Sequence, residues 1–240
     1  MQRIIWGLVG VCVLGLSGLA VWRSGALSPG AAPPGKESTA ILRGVDVARY
    51  QGIIDWPELA GHDISFAFIK ATEGGDWTDP KFFDNWIAAK RAGVPRGAYH
   101  FFTLCRDARE QAAHFLATVG DMRGAMLPAL DAEHMGPCRD GPTMQDVAGG
   151  VLQFLDTVHG SIGERPVIYT TKTFYEAHLN GKTPGERFWL RSLIAPPDYG
   201  PTDWLFWQYS DNGRRRGIKG AVDLNVFAGD EASLDALIID

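Results

Sequence analysis

Two acids stand two residues apart at the end of an apolar run: Asp131 and Glu133, in LPALDAEHMG, residues 127–136. Burial makes an ionised carboxylate costly, so the pairing asks for a reason. If the run is a strand, residues i and i+2 point to the same side. Ala132 then turns away and the two carboxyl groups project together, their Cα atoms ~6–7 Å apart. Like charges that close oppose joint ionisation, so one of the two should hold its proton more tightly. A carboxylic acid protonated near neutral pH can act as a general acid, and ionised neighbours can steady a developing cation. That is the division of labour in glycoside hydrolysis.

The elements that must position these acids alternate from residue 40 onward. Strands are expected at 41–47, 65–71, 95–102, 126–133 and 165–170, with helices at 56–61, 79–93, 106–120, 142–160 and 171–179. Gly149 and Gly150 should weaken the middle of the fourth helix. After that ERFWLRS, DWLFWQYS and GIKGAVDLNVF follow without convincing helices between them. Five βα units and about three further strands predict one α/β domain, a parallel barrel whose last third has lost its helices. In such barrels functional residues gather at the C-terminal ends of strands. Asp46 ends the first strand, Glu73 lies just past the second, Asp131 and Glu133 end the fourth, and Asp223 ends the eighth. Any one of these acids is at least as readily a helix cap or an ion-pair partner. Four separate sections of chain delivering carboxylates to one face favour chemistry. Asp55 and Asp79, each before a helix start with proline, read as helix N-caps instead.

A net charge of −5 leaves no global basic field for nucleic acid. The one basic run, Arg214-Arg215-Arg216, reads as a solvated loop. Residues 4–22 are uncharged and flanked by Arg3 and Arg23, just long enough to cross a bilayer as a helix. Residues 1–23 therefore read as an uncleaved signal anchor, with a cleaved signal peptide as the alternative; either way the rest is exported, to the periplasmic or extracellular face. Residues 24–40 read as a flexible tether and 41–240 as the catalytic domain, expected to be a monomer. Two cysteines in an exported domain, Cys105 and Cys138, suggest one disulfide, against two free buried thiols.

Two other chemistries were weighed. His134 adjoins Glu133 and His100 lies in the third strand, and Asp with His can bind zinc at barrel rims. His134 and His100 face away from Glu133 and Tyr99, however, and neither H-x-H nor H-x-x-x-H occurs. Serine catalysis lacks a G-x-S-x-G motif. A metal-dependent carbohydrate hydrolase or deacetylase and a non-catalytic glycan-binding module stay as alternatives to acid catalysis.

These residues resemble glycoside hydrolase family 25, the Chalaropsis-type lysozymes or muramidases. The resemblance rests on GVDVARYQGIIDW (44–56), FAFIKATEG (66–74), the stretch 79–102, QAAHFLATV (111–119), LPALDAE (127–133), PVIYT (166–170), FWQYS (206–210) and GAVDLNVF (220–227). It implies a TIM-like (β/α)5β3 barrel that cuts the β-1,4 bond between N-acetylmuramic acid and N-acetylglucosamine in peptidoglycan, without a cofactor or metal. It makes Glu133 the general acid and matches Asp46, Asp131 and Asp223 to the other active-site aspartates, whose roles divide in one of two ways: the substrate's own N-acetyl group attacks the anomeric carbon with Asp131 orienting it, or a carboxylate acts directly. Tyr99, Glu73, Tyr169 and Gln208 match positions that line the pocket. The sequence departs where the family often has W-x-A-x-Y. Here WLRSLIAPPDYG (189–200) leaves the rim aromatic missing or displaced to Tyr199.

Overall fold

The computed structural model describes residues 41–134 and 144–240. The apolar segment 4–22, the tether 24–40 and Cys138 lie outside the described residues. Among the described residues no helix is long and apolar enough to cross a membrane. Cys105, after the third barrel strand, is disulfide-bonded.

Eight strands close into a barrel. In chain order the elements are β1 (Arg43–Val47), α1 (Trp56–Ala60), β2 (Phe66–Glu73), β3 (Trp77–Thr78), α2 (Phe82–Arg91), β4 (Arg96–Phe101), α3 (Ala108–Val119), β5 (Ala129–Ala132) and α4 (Val147–Ile162). There follow β6 (Val167–Thr171), the three-residue α5 (Lys172–Phe174), β7 (Phe188–Arg191), β8 (Phe206–Gly213), β9 (Val222–Phe227) and α6 (Glu231–Asp235). Neighbouring barrel strands from β1 round to β8 pair in parallel. β9 runs antiparallel to both β8 and β1 and closes the ring. The two-residue β3 folds back on the end of β2. Strands covered on both faces read as unbroken apolar runs, as FAFI and FWLR do.

Several boundaries move from expectation for local reasons. The strand expected over 126–133 shrinks to 129–132 because Pro128 has no N–H to give to a ladder. The helix expected over 171–179 is α5 followed by a π-helical turn, Tyr175–Leu179. Gly149 and Gly150 fall in the first turn of α4, not its middle: Asp146 caps Gly149 N at 2.9 Å, and a Cβ on Gly150 would run into Met144. Asp55 caps α1 as expected, accepting from Glu58 N at 3.1 Å. Asp79 does not cap α2, whose N-cap position is Lys81. Its buried carboxylate accepts from Lys81 N at 2.7 Å and Arg49 N at 2.9 Å, tying the turn after β1 to the start of α2.

The barrel floor is aromatic. Phe68 stacks on Trp189 with centroids 4.5 Å apart, and Phe206 packs on Phe66, Phe68 and Phe227 at 5.1–5.2 Å. Gly44 makes room for this layer. It pairs with Phe66 across β1–β2, and a Cβ at 44 would strike the buried Phe66 ring. Gly44→Ala is expected to cost ~1–3 kcal/mol by overpacking. Thermal unfolding would then shift down by ~2–4 °C per kcal/mol, and an unchanged Tm would show that the ring can move aside.

Candidate active site

Above the aromatic floor the barrel opens into a cavity of about 610 Å³. Asp46, Glu73, Asp131, Glu133 and Asp223 all line it, so the four sections of chain do converge. Tyr99, Tyr169 and Gln208 line it too. These eight side chains line one cavity.

The way they get there differs from expectation in two places. Asp223 begins β9 and does not end its strand. Because β9 is reversed, its start lies at the rim where the other strands finish, and Asp223 pairs directly opposite Asp46. Glu73 is the last residue of β2, not a residue beyond it, and accepts from Lys70 Nζ at 2.8 Å. Glu133 stands in the bend just after β5, yet it shares the cavity with Asp131.

Two amide side chains hold Asp46, and each is locked in orientation. Gln208 Nε2 donates to Asp46 at 3.0 Å and to Asp223 at 3.3 Å, while its oxygen accepts from the Tyr169 hydroxyl at 3.0 Å. Asn225 Nδ2 donates to Asp46 at 2.8 Å, while its oxygen accepts from Trp189 Nε1 at 2.8 Å. Tyr169 and Gln208, expected as pocket lining, therefore also brace the acids. Asn225, Trp189, Lys70 and Arg191 were not singled out beforehand. The signal was present: Asn225 is two on from Asp223 and Arg191 two on from Trp189, so each pair shares a strand face.

The site is tuned toward protonated acids. Burial raises Asp131 well above the ordinary carboxylate range, and the charge of Glu133 adds to it. Burial also raises Glu133, with Arg191 pulling the other way. Asp223 is pushed up to about 9 by burial and by Asp46 beside it. Burial raises Asp46 as well, against the hydrogen bonds of Asn225 and Gln208. The Asp46–Asp223 pair titrates as a unit, and the Asn225 and Gln208 donors favour the charge on Asp46. The sequence argument required one reluctant proton at Asp131 and Glu133; the fold raises both, Asp131 the further because it is more deeply enclosed. Asp131 Oδ1 is buried with no hydrogen-bond partner among the described residues.

The histidines face other tasks. His100 lies behind the cavity wall between Thr72 (2.7 Å) and Gln111 (3.2 Å), and burial lowers it to about 3. His134 lines the cavity and packs on Phe174 and His178. Among the described residues no group of three or more His, Cys, Asp and Glu is arranged to hold a metal ion. Tyr199 is buried and supplies no rim aromatic: its hydroxyl donates to the carbonyls of Thr170 and Arg191, both at 2.9 Å.

The family model of glycosyl hydrolases family 25 matches residues 45–218. The chain belongs to that family. It is therefore a glycoside hydrolase, of the lysozyme and muramidase kind. This family 25 hydrolase is 39% identical over 203 residues to the Escherichia coli O157:H7 protein YegX, covering 82% of this chain and 73% of the relative. It is 35% identical over 216 residues to lysozyme M1 of Streptomyces globisporus, covering 85% of this chain and 73% of that one. Among solved structures, a family 25 glycosyl hydrolase from Bacillus anthracis superposes with a TM-score of 0.77 at 32% identity, covering 86% of this chain and 99% of that chain.

Proposed function

We propose that this family 25 hydrolase is an exported muramidase that cuts the β-1,4 bond between N-acetylmuramic acid and N-acetylglucosamine in peptidoglycan. The observation that carries the reading is the set of acids with raised pKa in one barrel mouth, two of them within a braced, proton-sharing pair. The lysozyme relatives support the substrate class.

Glu133 is the general acid. Burial makes it hold its proton more tightly than an open carboxyl group does, and its place past the end of β5 leaves it more open than Asp131. Its proton goes to the glycosidic oxygen as the bond from the anomeric carbon breaks. Asp131 is the orienting acid: its Oδ1, with no partner among the described residues, can accept from the N–H of the substrate's N-acetyl group. Asp46, ionised and held by Gln208 and Asn225, faces the positive charge that grows on the sugar. Asp223 keeps its proton beside Asp46 and helps position the N-acetyl group or water. Tyr99 and Glu73 shape the pocket wall. The barrel is read as (β/α)5β3, and no cofactor enters the reaction.

The apolar stretch 4–22 is read as the export signal or membrane anchor, which would hold the domain at the face of the wall. Cys105, which is disulfide-bonded, is assigned to Cys138 as its partner. Non-reducing mass analysis of the exported chain should yield a peptide joining Cys105 to Cys138, and Cys138 recovered as an alkylatable thiol would reject the pairing.

The direct test is to digest purified peptidoglycan with the full chain, reduce the products with borohydride and weigh them. Soluble muropeptides with reduced muramic acid ends are expected. Reduced glucosamine ends would mean that the other glycosidic bond is cut.

A further inference from the structure

The cavity holds two cations among its acids, and they are held differently. Lys70 is committed: Nζ donates to Glu73 at 2.8 Å and lies 4.6 Å from the centroid of the Phe101 ring. Arg191 is not. It ends β7 in register with Thr171 and Gln208, one layer above Trp189 toward the mouth. Its side chain makes a single end-on bond, NH2 to Asp211 Oδ2 at 2.7 Å. Asp211 is itself 44% exposed. Nε and NH1 carry no hydrogen bond among the described residues. Such an open ion pair contributes little to stability. It leaves most of a planar fork, suited to gripping a carboxylate on two atoms, on a residue that lines the cavity.

The position limits what the fork can meet. Burial works against the Arg191 charge, but Tyr169, Asp211 and Glu133 outweigh it, so the guanidinium stays charged. Its field also reaches Glu133 and Asp46. A group that close to the acids faces the sugar being cleaved, not a distant part of the polymer. On muramic acid the acidic substituent is the lactyl arm. Its carboxyl group is an amide while a stem peptide is attached, and a free carboxylate once the peptide has been removed. Of the two cations in this cavity, Arg191 is the one with donors left over among the described residues to receive such an anion.

We propose that Arg191 receives the free lactyl carboxylate, so that this enzyme prefers glycan strands whose stem peptides an amide-hydrolysing enzyme has already removed. The proposal rests on the muramidase reading. It places the enzyme after amide hydrolysis in wall breakdown, and makes Arg191 a specificity residue in the stretch where the sequence leaves the W-x-A-x-Y pattern.

The test compares kcat/KM of the full chain on amidase-stripped glycan and on stem-bearing glycan, for wild type, Arg191→Gln and Asp211→Asn. Wild type should favour the stripped glycan, and Arg191→Gln should lower that preference by ~10-fold or more, the loss of a charge-assisted hydrogen bond. Asp211→Asn, which removes the opposite charge beside the guanidinium, should retain the preference. Equal losses of Arg191→Gln on both substrates with a shifted pH profile would overturn the proposal, leaving Arg191 only a tuner of Glu133. Loss of preference in Asp211→Asn would make the ion pair itself the relevant feature and overturn it too. A wild-type preference for stem-bearing glycan that Arg191→Gln abolishes would assign the fork to a stem carboxylate instead. Release of nothing from either glycan by wild type would reject the muramidase reading, and this proposal with it.

Discussion

Glu133→Gln leaves the barrel folded and lowers muropeptide release by ~10²–10⁴-fold, the usual share of a general acid. The substitution keeps volume and hydrogen-bonding shape and removes only the transferable proton. Glu133 stands in the bend after β5, outside the strand itself, so folding should be untouched. The loss should fall on kcat more than on KM, because the proton is delivered in the transition state. Near-normal turnover by a folded variant would move the acid role elsewhere, and Asp131 would be the first place to look. Circular dichroism and thermal unfolding of the same preparation would separate lost chemistry from lost fold.

The second large effect has opposite signs for stability and activity. Asp131→Asn should remove most activity and raise the Tm near neutral pH. Asp131 is raised by burial and by Glu133, and one of its oxygens has no partner among the described residues. An acid whose folded pKa lies above its unfolded value binds its proton more tightly when folded. Its contribution to stability is therefore full below the unfolded value, 3.8 for Asp, and is lost as pH rises toward the folded one. For Asp223 that loss runs up to about pH 9. All four acids shift the same way, so wild-type stability should fall as pH is raised from about 4 to about 9. Asp131→Asn should flatten that fall and gain at least ~1 kcal/mol at the upper end, a rise of ~2–4 °C in Tm. A Tm that drops at every pH would mean that the carboxyl group is a net support of the fold. Such a gain at the expense of function is what an acid held for chemistry should show.

Much of this site was legible in the chain because its residues announce themselves singly. A carboxylate at the end of an apolar strand is conspicuous, and alternating strand and helix patterns say that the strand ends share a rim. That reasoning reached Asp46, Asp131, Glu133 and Asp223. It failed where the information lies between residues far apart. The stretch GAVDLNVF carries no arrow, so nothing in it reveals that β9 runs backward and sets Asp223 against Asp46. Trp189 and Asn225, or Tyr169 and Gln208, become partners only once the barrel has closed. Asp79 looked like a cap because it precedes Pro80. Its carboxylate instead reaches the turn at Arg49, thirty residues earlier. The change at 189–193 was visible as a missing aromatic, but only the cavity gives Arg191 a direction.

The reversed last strand also decides when activity can begin. Asp46 and Asn225 are 179 residues apart in the chain, and Gln208 is 162 from Asp46. Contacts of such separation form late in folding, after the loop between them has been closed. A polypeptide still emerging from the ribosome, or clipped between residues 134 and 222, has Glu133 and Asp131 but lacks Asp223 and Asn225, one of the two amides that hold Asp46. Its lytic power would be withheld from partial chains and acquired only by the finished one.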